Sequence, residues 1–259
     1  MTKRQRQRLV RGALYAVFVL VVLVVSLVAD WPRIQHSFFN LEIAAEMFPR
    51  VVTVAARNTL LYTFLAFTFG LGLGLLLALM RLSTIGPYRW FARIYIEIFR
   101  GLPALLTIFL VGFGLPIAFG VRWNILVYIT LGLGLVSAAY MAETIRAGIE
   151  GVPKGQMEAA RSLGMSYSRA MMSVVIPQGF RIVIPPLTNE LVLLIKDTSL
   201  LFVLGTTATT MELLKYGRDL LNQRFNPTPL IVVGLVYLAI TVPMTQLVGV
   251  LERRNQRAR

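Results

Sequence analysis

The sequence predicts an all-α membrane protein with about six transmembrane helices, on three observations. Of the 259 residues, 56% are hydrophobic and only 15% are charged, where a soluble domain carries about 25% charge. Six apolar stretches, at 13–29, 57–80, 103–120, 124–146, 185–204 and 229–251, approach or exceed the roughly 20 residues that span the hydrocarbon core. The basic residues are also distributed asymmetrically. With the N-terminus inside, segments 1–12, 81–100, 146–181 and 252–259 hold 18 of the 26 lysines and arginines, and segments 30–57, 121–123 and 205–228 hold 7. Cytoplasmic loops carry such an excess, so both termini are expected in the cytoplasm.

Composition also excludes function classes. The net charge of +14 does not point to nucleic acid, because the basic residues flank apolar segments and form no single soluble block. The absence of cysteine rules out disulfides, thiolate metal sites and thiol catalysis. The sequence contains no GxxxxGK[ST] loop, no HExxH motif and one histidine, His36. No enzyme chemistry, metal site or cofactor is expected in this chain.

The segments follow in order. Residues 1–12 form a basic N-terminus with Lys3, Arg4, Arg6, Arg8 and Arg11, and 13–29 is the first span. The pattern also fits a signal peptide, but Leu27 stands where cleavage after Ala29 prefers a small residue, so a retained helix is expected. Residues 30–54 are extracytoplasmic, and 42–48 read as a plain connector more than a short helix. In the second span Gly70 and Gly74 make a small-xxx-small pair that admits a closely packed helix, and Gly132 and Gly134 read the same way in the fourth. Residues 88–100 alternate basic and aromatic side chains, as an amphipathic helix in the inner headgroup layer would. Local ion pairs are expected for Glu97 with Arg93 or Arg100, and for Glu143 with Arg146 three residues on.

The loop 147–180 is the largest cytoplasmic insertion. Pro153 breaks the descending span, and a short helix is expected over about 154–163. Gly164 suits its left-handed stop, and Ser166 caps a second helix running to the region of Pro177. Ala159 and Ala160 make a low patch beside the charges of Glu158 and Arg161. Such a knob fits a docking element for a soluble partner; a solvated loop helix is the plainer alternative.

The fifth span is expected to start at Pro185 and Pro186, which fit poorly inside a regular helix. It then carries Thr188, Asn189, Glu190, Lys196, Asp197, Thr198 and Ser199. Asn189 and Lys196, like Glu190 and Asp197, are seven residues apart and share a face. Lys196 lies about 15 Å from that helix start, near the midplane, where each charge costs roughly 2.5–3.5 kcal/mol. The stripe must face the bundle interior or a wet cavity, as a translocation pathway or as structural glue. Glu212, Lys215, Arg218 and Asp219 in the outer segment 205–228 read as a solvated face, and 252–259 is a cytoplasmic C-terminus.

The run AYMAETIRAG at 139–148, the run GQMEAARSLG at 155–164 and IPQ at 176–178 resemble the signature of bacterial ABC-importer permeases. RGLPALL at 100–106 and KDTSL at 196–200 resemble the polar amino acid uptake subfamily, the histidine, glutamine and arginine type. The resemblance covers about 55–251 and implies that family's permease fold over that span, with a cytoplasmic coupling helix. It implies a multi-pass subunit of the bacterial inner (plasma) membrane, in lipid, paired with itself or a paralogue as a homo- or heterodimer. Two ATPase subunits would cup the coupling helix at Gly155, Glu158, Ala159, Ala160 and Gly164 and would bind ATP and Mg themselves. An extracytoplasmic amino-acid-binding protein would deliver substrate to the pathway. Two departures stand out: the extra first span, and Thr107 where many relatives have glutamine. Import of another small solute such as an opine, or a membrane scaffold recruiting an ATPase without transport, are the alternatives.

Overall fold

The computed structural model describes residues 3–257, and among them every regular element is helical. The outermost residues of the expected termini, 1–2 and 258–259, lie outside the described residues. The helices are α1 (Lys3–Val28), α2 (Trp31–Phe38), α3 (Leu41–Glu46), α4 (Arg57–Leu82), α5 (Gly86–Gly101), α6 (Ala104–Phe109), α7 (Leu115–Phe119), α8 (Ile125–Glu150), α9 (Lys154–Ser162), α10 (Tyr167–Ala170), α11 (Ile176–Asp197), α12 (Leu213–Arg224) and α13 (Thr228–Arg257). Wider π-turns lead into α4 and α11 and join α6 to α7. Four helical stretches are long and apolar enough to cross a membrane: Lys3–Val28, Val51–Leu82, Ile125–Glu150 and Thr228–Arg253. A fifth is formed if Gly86–Gly101 and Ala104–Phe119, bent by 106°, count as one broken span. The expected span at 185–204 is split between α11 and a 3-10 turn, Thr198–Leu204, and Glu190, Lys196 and Asp197 interrupt its apolar run.

The glycine pairs set the centre of the bundle. A Cβ on Gly70 would lie 2.3 Å from Ser137 Oγ, and one on Gly74 would lie 2.9 Å from Ala138 O. Small residues let the α4 and α8 backbones touch, which is how helices associate where lipid supplies no hydrophobic drive. Positions 70 and 74 meet 137 and 138–142 in the same order, so α4 and α8 run parallel. The bent pair α5–α7 carries the chain back between them. Gly179 packs on Ile149 and Val183 on Gly148, so α11 runs antiparallel to α8. Leu77, Ala78, Ala92, Ile96, Ala138, Ala142, Ile145 and Val183 close one core across these four helices. No residue of α1's apolar window is buried.

Two sequence expectations are corrected here and a third is refined. Pro185 and Pro186 lie inside α11, and the helix begins at Ile176. Within a bundle, neighbouring helices and local adjustments re-satisfy the carbonyls that proline leaves unbonded. The helix capped by Ser166 does not end near Pro177. A π-turn at Met171–Val175 absorbs the proline, and the helical run continues from 167 to 197. Finally, α5 is not free of the bundle but packs against α4 and α8. Its Tyr95 hydroxyl donates to Leu135 O at 2.9 Å, well inside α8, so its C-terminal half leans into the bundle.

The outer segment is more ordered than a connector. Asp30 caps α2 and Asn40 caps α3. The Asn226 side chain donates to His36 O at 3.0 Å, Arg224 pairs with Glu46, and the Tyr216 hydroxyl donates to Met47 O at 3.2 Å. Asn58 donates to Thr209 O and Met211 O, and the Tyr62 hydroxyl donates to Thr210 O at 2.6 Å. Segment 205–228 therefore forms a cap on the starts of α4 and α13.

Candidate functional site

Helix α9 stands at the end of the bundle where α8 stops. Pro153 opens it, and Gly164 closes it with φ +83°. Gly164 N–H donates to Arg161 O at 3.0 Å and Met165 N–H to Ala160 O at 3.2 Å, the paired bonds of a Schellman stop. The Arg161 guanidinium donates to Met165 O at 3.1 Å and braces the same turn. Ser166 Oγ accepts from Arg169 N–H, as the sequence predicts. The helix is fastened to the bundle by Gln178, whose amide donates to Gln156 Oε1 at 3.2 Å.

Its exposed surface contains Gly155, Glu158 and Ala159, and beyond them Leu163, 85% exposed, and Tyr167. Ala160 is buried. Only one of the two adjacent alanines therefore contributes to an outer low patch; the other lets α9 seat closely on the following turn. An exposed leucine and tyrosine beside a fixed helix make an apolar surface of the kind that protein partners cover.

The second feature is a cavity of about 270 Å³ lined by Leu102, Ala104, Leu133, Val136, Ser137, Tyr140, Glu190, Leu193, Leu194 and Asp197. Ser137 is about 18 Å along α8 from Ile125, so the cavity sits near that helix's midpoint. Glu190 and Asp197 both reach it because a seven-residue separation returns a helix to the same face. Helix α11 starts at Ile176, so distance from Pro186 no longer fixes the stripe's depth; proximity to the middle of α8 does. The Arg100 guanidinium lies 5.6 Å from the Tyr140 ring centroid, at the cavity's edge.

The single polar stripe expected from sequence is divided. Glu190 and Asp197 face the cavity, whereas Asn189 and Lys196 are exposed, on one face with Pro186 and Leu193. Adjacent residues on a helix point about 100° apart. Thr188 and Thr198 are turned inward on their own backbone: their hydroxyls donate to Ile184 O at 2.8 Å and Ile195 O at 2.6 Å. Ser199 is half-buried. Thr107 is buried with no hydrogen bond to its hydroxyl and does not line the cavity.

Glu143 and Arg146 pair as expected, and Glu150 joins them. Glu97 makes no ion pair among the described residues. Glu212 overturns the solvated reading of its segment. It is fully buried, caps α12 by accepting from Leu214 and Lys215 N–H, and accepts from the Tyr237 hydroxyl at 3.3 Å. Burial pushes its carboxyl up to about 7, although the two backbone N–H groups and Tyr237 pull the other way. Lys215 pairs with Asp219, and Arg218 lies 4.7 Å from the Phe202 ring centroid. Sequence reading also missed Ser137 and Tyr140 as cavity residues; Ser137 is buried on the glycine-rich face of α8, and Tyr140 is 40% exposed at the cavity.

The model of the family "binding-protein-dependent transport system inner membrane component" matches residues 70–257. The chain belongs to that family. Probable amino-acid ABC transporter permease protein YckA of Bacillus subtilis is 37% identical over 83% of this chain and 93% of its own. Probable glutamine ABC transporter permease protein GlnM of the same organism is 39% identical over 78% and 91%. A chain in the crystal structure of an amino acid ABC transporter with histidines is 36% identical, with a TM-score of 0.75 over 81% of this chain and 96% of that one. This is a multi-pass membrane permease of the ABC-importer type, a subunit class that lacks its own ATPase site and works with an ATPase and a binding protein.

Proposed function

We propose that this permease moves polar amino acids across the bacterial inner membrane, through the cavity between α8 and α11, driven by an ATPase docked on α9. The carrying observation is the pair of carboxylates, Glu190 and Asp197, that line a cavity midway along α8. Carboxylates at that depth are costly and need a polar partner. A substrate ammonium group is one. Arg100 at the cavity's edge suits the substrate carboxylate. With two carboxylates against one guanidinium, the balance favours an amino acid that carries an additional positive charge.

Asn189 and Lys196 face outward from this chain and cannot face lipid cheaply. A second permease subunit, identical or paralogous, covers that face, and the cavity opens past Leu193 toward the seam. ATP and Mg are bound by the partner ATPase, whose groove receives Gly155, Glu158, Ala159 and the Gly164 turn. Both termini and α9 lie on the cytoplasmic side. Transport alternates two global states of this assembly, each with different contacts to substrate and motor.

The test is ATP-driven uptake of labelled arginine in proteoliposomes containing this chain, its ATPase and its binding protein. Accumulation is expected, abolished by Glu158→Lys together with loss of ATPase co-purification. ATP hydrolysis without accumulation of any amino acid overturns the reading in favour of a scaffold.

A further inference from the structure

A second polar recess lies away from the cavity, between the end of α4 and the start of α5. Arg81, Gly86, Arg89, Trp90 and Arg93 line an open groove of about 500 Å³. Positions 86, 89, 90 and 93 fall on one face of α5 by helical spacing. Ala92 and Ile96, on the adjoining side of α5, are buried against α4 and α8, and Arg89, Trp90 and Arg93 beside them are exposed. Because α4 and α8 run parallel, Arg81 stands at the end of the bundle that carries α9.

None of the three guanidiniums has an ion-pair partner among the described residues. Glu97, one turn beyond Arg93, makes no ion pair with it; Glu143 pairs directly with Arg146 and offsets Arg81 only at longer range, which leaves Arg89 and Arg93 without a nearby carboxylate partner. Three like charges converging on one recess repel each other unless an anion joins them. Guanidinium matches a phosphate's oxygens with paired N–H donors. Trp90 is 67% exposed, next to exposed Tyr88 and Phe91, the amphipathic aromatic set that settles at headgroup depth. Basic recesses between membrane helices on the cytoplasmic side take phospholipid headgroups.

We propose that this groove binds the headgroup phosphate of an anionic phospholipid in the leaflet nearest α9, with Trp90 and Phe91 along its acyl chains. The bound lipid anchors the α4–α5 corner. The proposal requires neither transport nor any particular substrate, so it stands or falls separately from the reading of the acidic cavity.

The experiment uses the complete transporter in detergent, exchanged with phosphatidylglycerol or with phosphatidylcholine of the same acyl chains, and native mass spectrometry counts retained lipid. Each basic side chain at an anionic surface adds roughly fivefold in affinity, so three give about a hundredfold. Preferential retention of phosphatidylglycerol is expected, lost in Arg81→Gln/Arg89→Gln/Arg93→Gln and kept in the charge-matched control Arg4→Gln/Arg8→Gln/Arg11→Gln. Gly86→Glu is a second variant that keeps every arginine. Its α-carbon faces open space, and the added carboxylate is expected to displace the lipid. Equal retention of both lipids, equal loss in the control, or thermal stabilisation by inorganic phosphate matching that by phosphatidylglycerol overturns the proposal. So does loss of ATPase co-purification in the groove variants with lipid retention unchanged, which assigns the groove to the motor.

Discussion

Gly74→Ala separates close helix packing from mere glycine abundance in a membrane helix. A Cβ built at position 74 meets Ala138 O at 2.9 Å, Met141 Cβ at 3.0 Å and Ala142 N at 3.2 Å. Two of those atoms are backbone and cannot rotate away, so α4 and α8 must part by several tenths of an ångström along their shared length. Overpacking of this kind costs about 1–3 kcal/mol. At about 2–4 °C per kcal/mol for a chain of this size, the midpoint of thermal unfolding falls by roughly 2–12 °C. Gly72 is the internal control: nothing lies within 4 Å of its Cβ position, and alanine there gains up to about 1 kcal/mol of helix propensity. Gly70→Ala falls between them, because Ser137 Oγ at 2.3 Å can rotate at the cost of its bond to Gly134 O. The assay is tryptophan fluorescence of the purified chain in detergent on heating. Equal midpoints for Gly74→Ala and Gly72→Ala would refute the α4–α8 contact as described.

Three further outcomes are expected. Gly164→Ala forces a side chain into the left-handed region at φ +83°, a cost of about 1–2 kcal/mol; ATPase co-purification falls, and Gly164→Asn restores part of it. Undiminished co-purification with alanine contradicts a docking role for that turn. Glu212 has a raised folded-state pKa of about 7, so the folded protein holds its proton more tightly than the unfolded chain does. The outer cap is then most stable below the ordinary carboxylate value and loosens as pH rises toward and through about 7. Hydrogen exchange across 205–226, corrected for intrinsic rates, is expected to speed up between pH 5 and 8 and to become pH-independent in Glu212→Gln; protection that increases with pH counts against this. Lys196→Leu is expected to leave the single chain folded and to abolish uptake, because the exposed lysine lies at the seam with the second subunit. Full uptake by that variant removes Lys196 from the pathway.

What the sequence made legible was local. The α9 boundaries follow from Pro153 and Gly164, the Ser166 cap from its hydroxyl, the Glu143–Arg146 pair from i,i+3 spacing, and a closely packed helix against α4, though not which one, from glycines four apart. Each rests on residues within one or two turns of one another. What stayed hidden depended on neighbours distant in the chain. Proline signals a helix start in water, yet α11 passes through Pro185 and Pro186 because the bundle accommodates the lost bonds. Spacing puts Glu190 with Asp197 and Asn189 with Lys196, but only packing against Ser137 and Tyr140 shows which pair faces the cavity. Glu212 reads as a surface charge until Tyr237, 25 residues later, is seen to cover it. Ala160 looks equivalent to Ala159 until the following turn packs on it.

The most direct test of the account is charge selectivity at the acidic cavity. In proteoliposomes with ATPase and binding protein, the uptake ratio of arginine to glutamine is measured for the parent and for Glu190→Gln/Asp197→Asn. The isosteric amides keep the cavity's shape and remove its charge. The predicted result is a fall of about tenfold or more in that ratio, one tenfold step per 1.4 kcal/mol of lost ion pairing. An unchanged ratio with uptake intact would show that substrate does not pass between these two carboxylates.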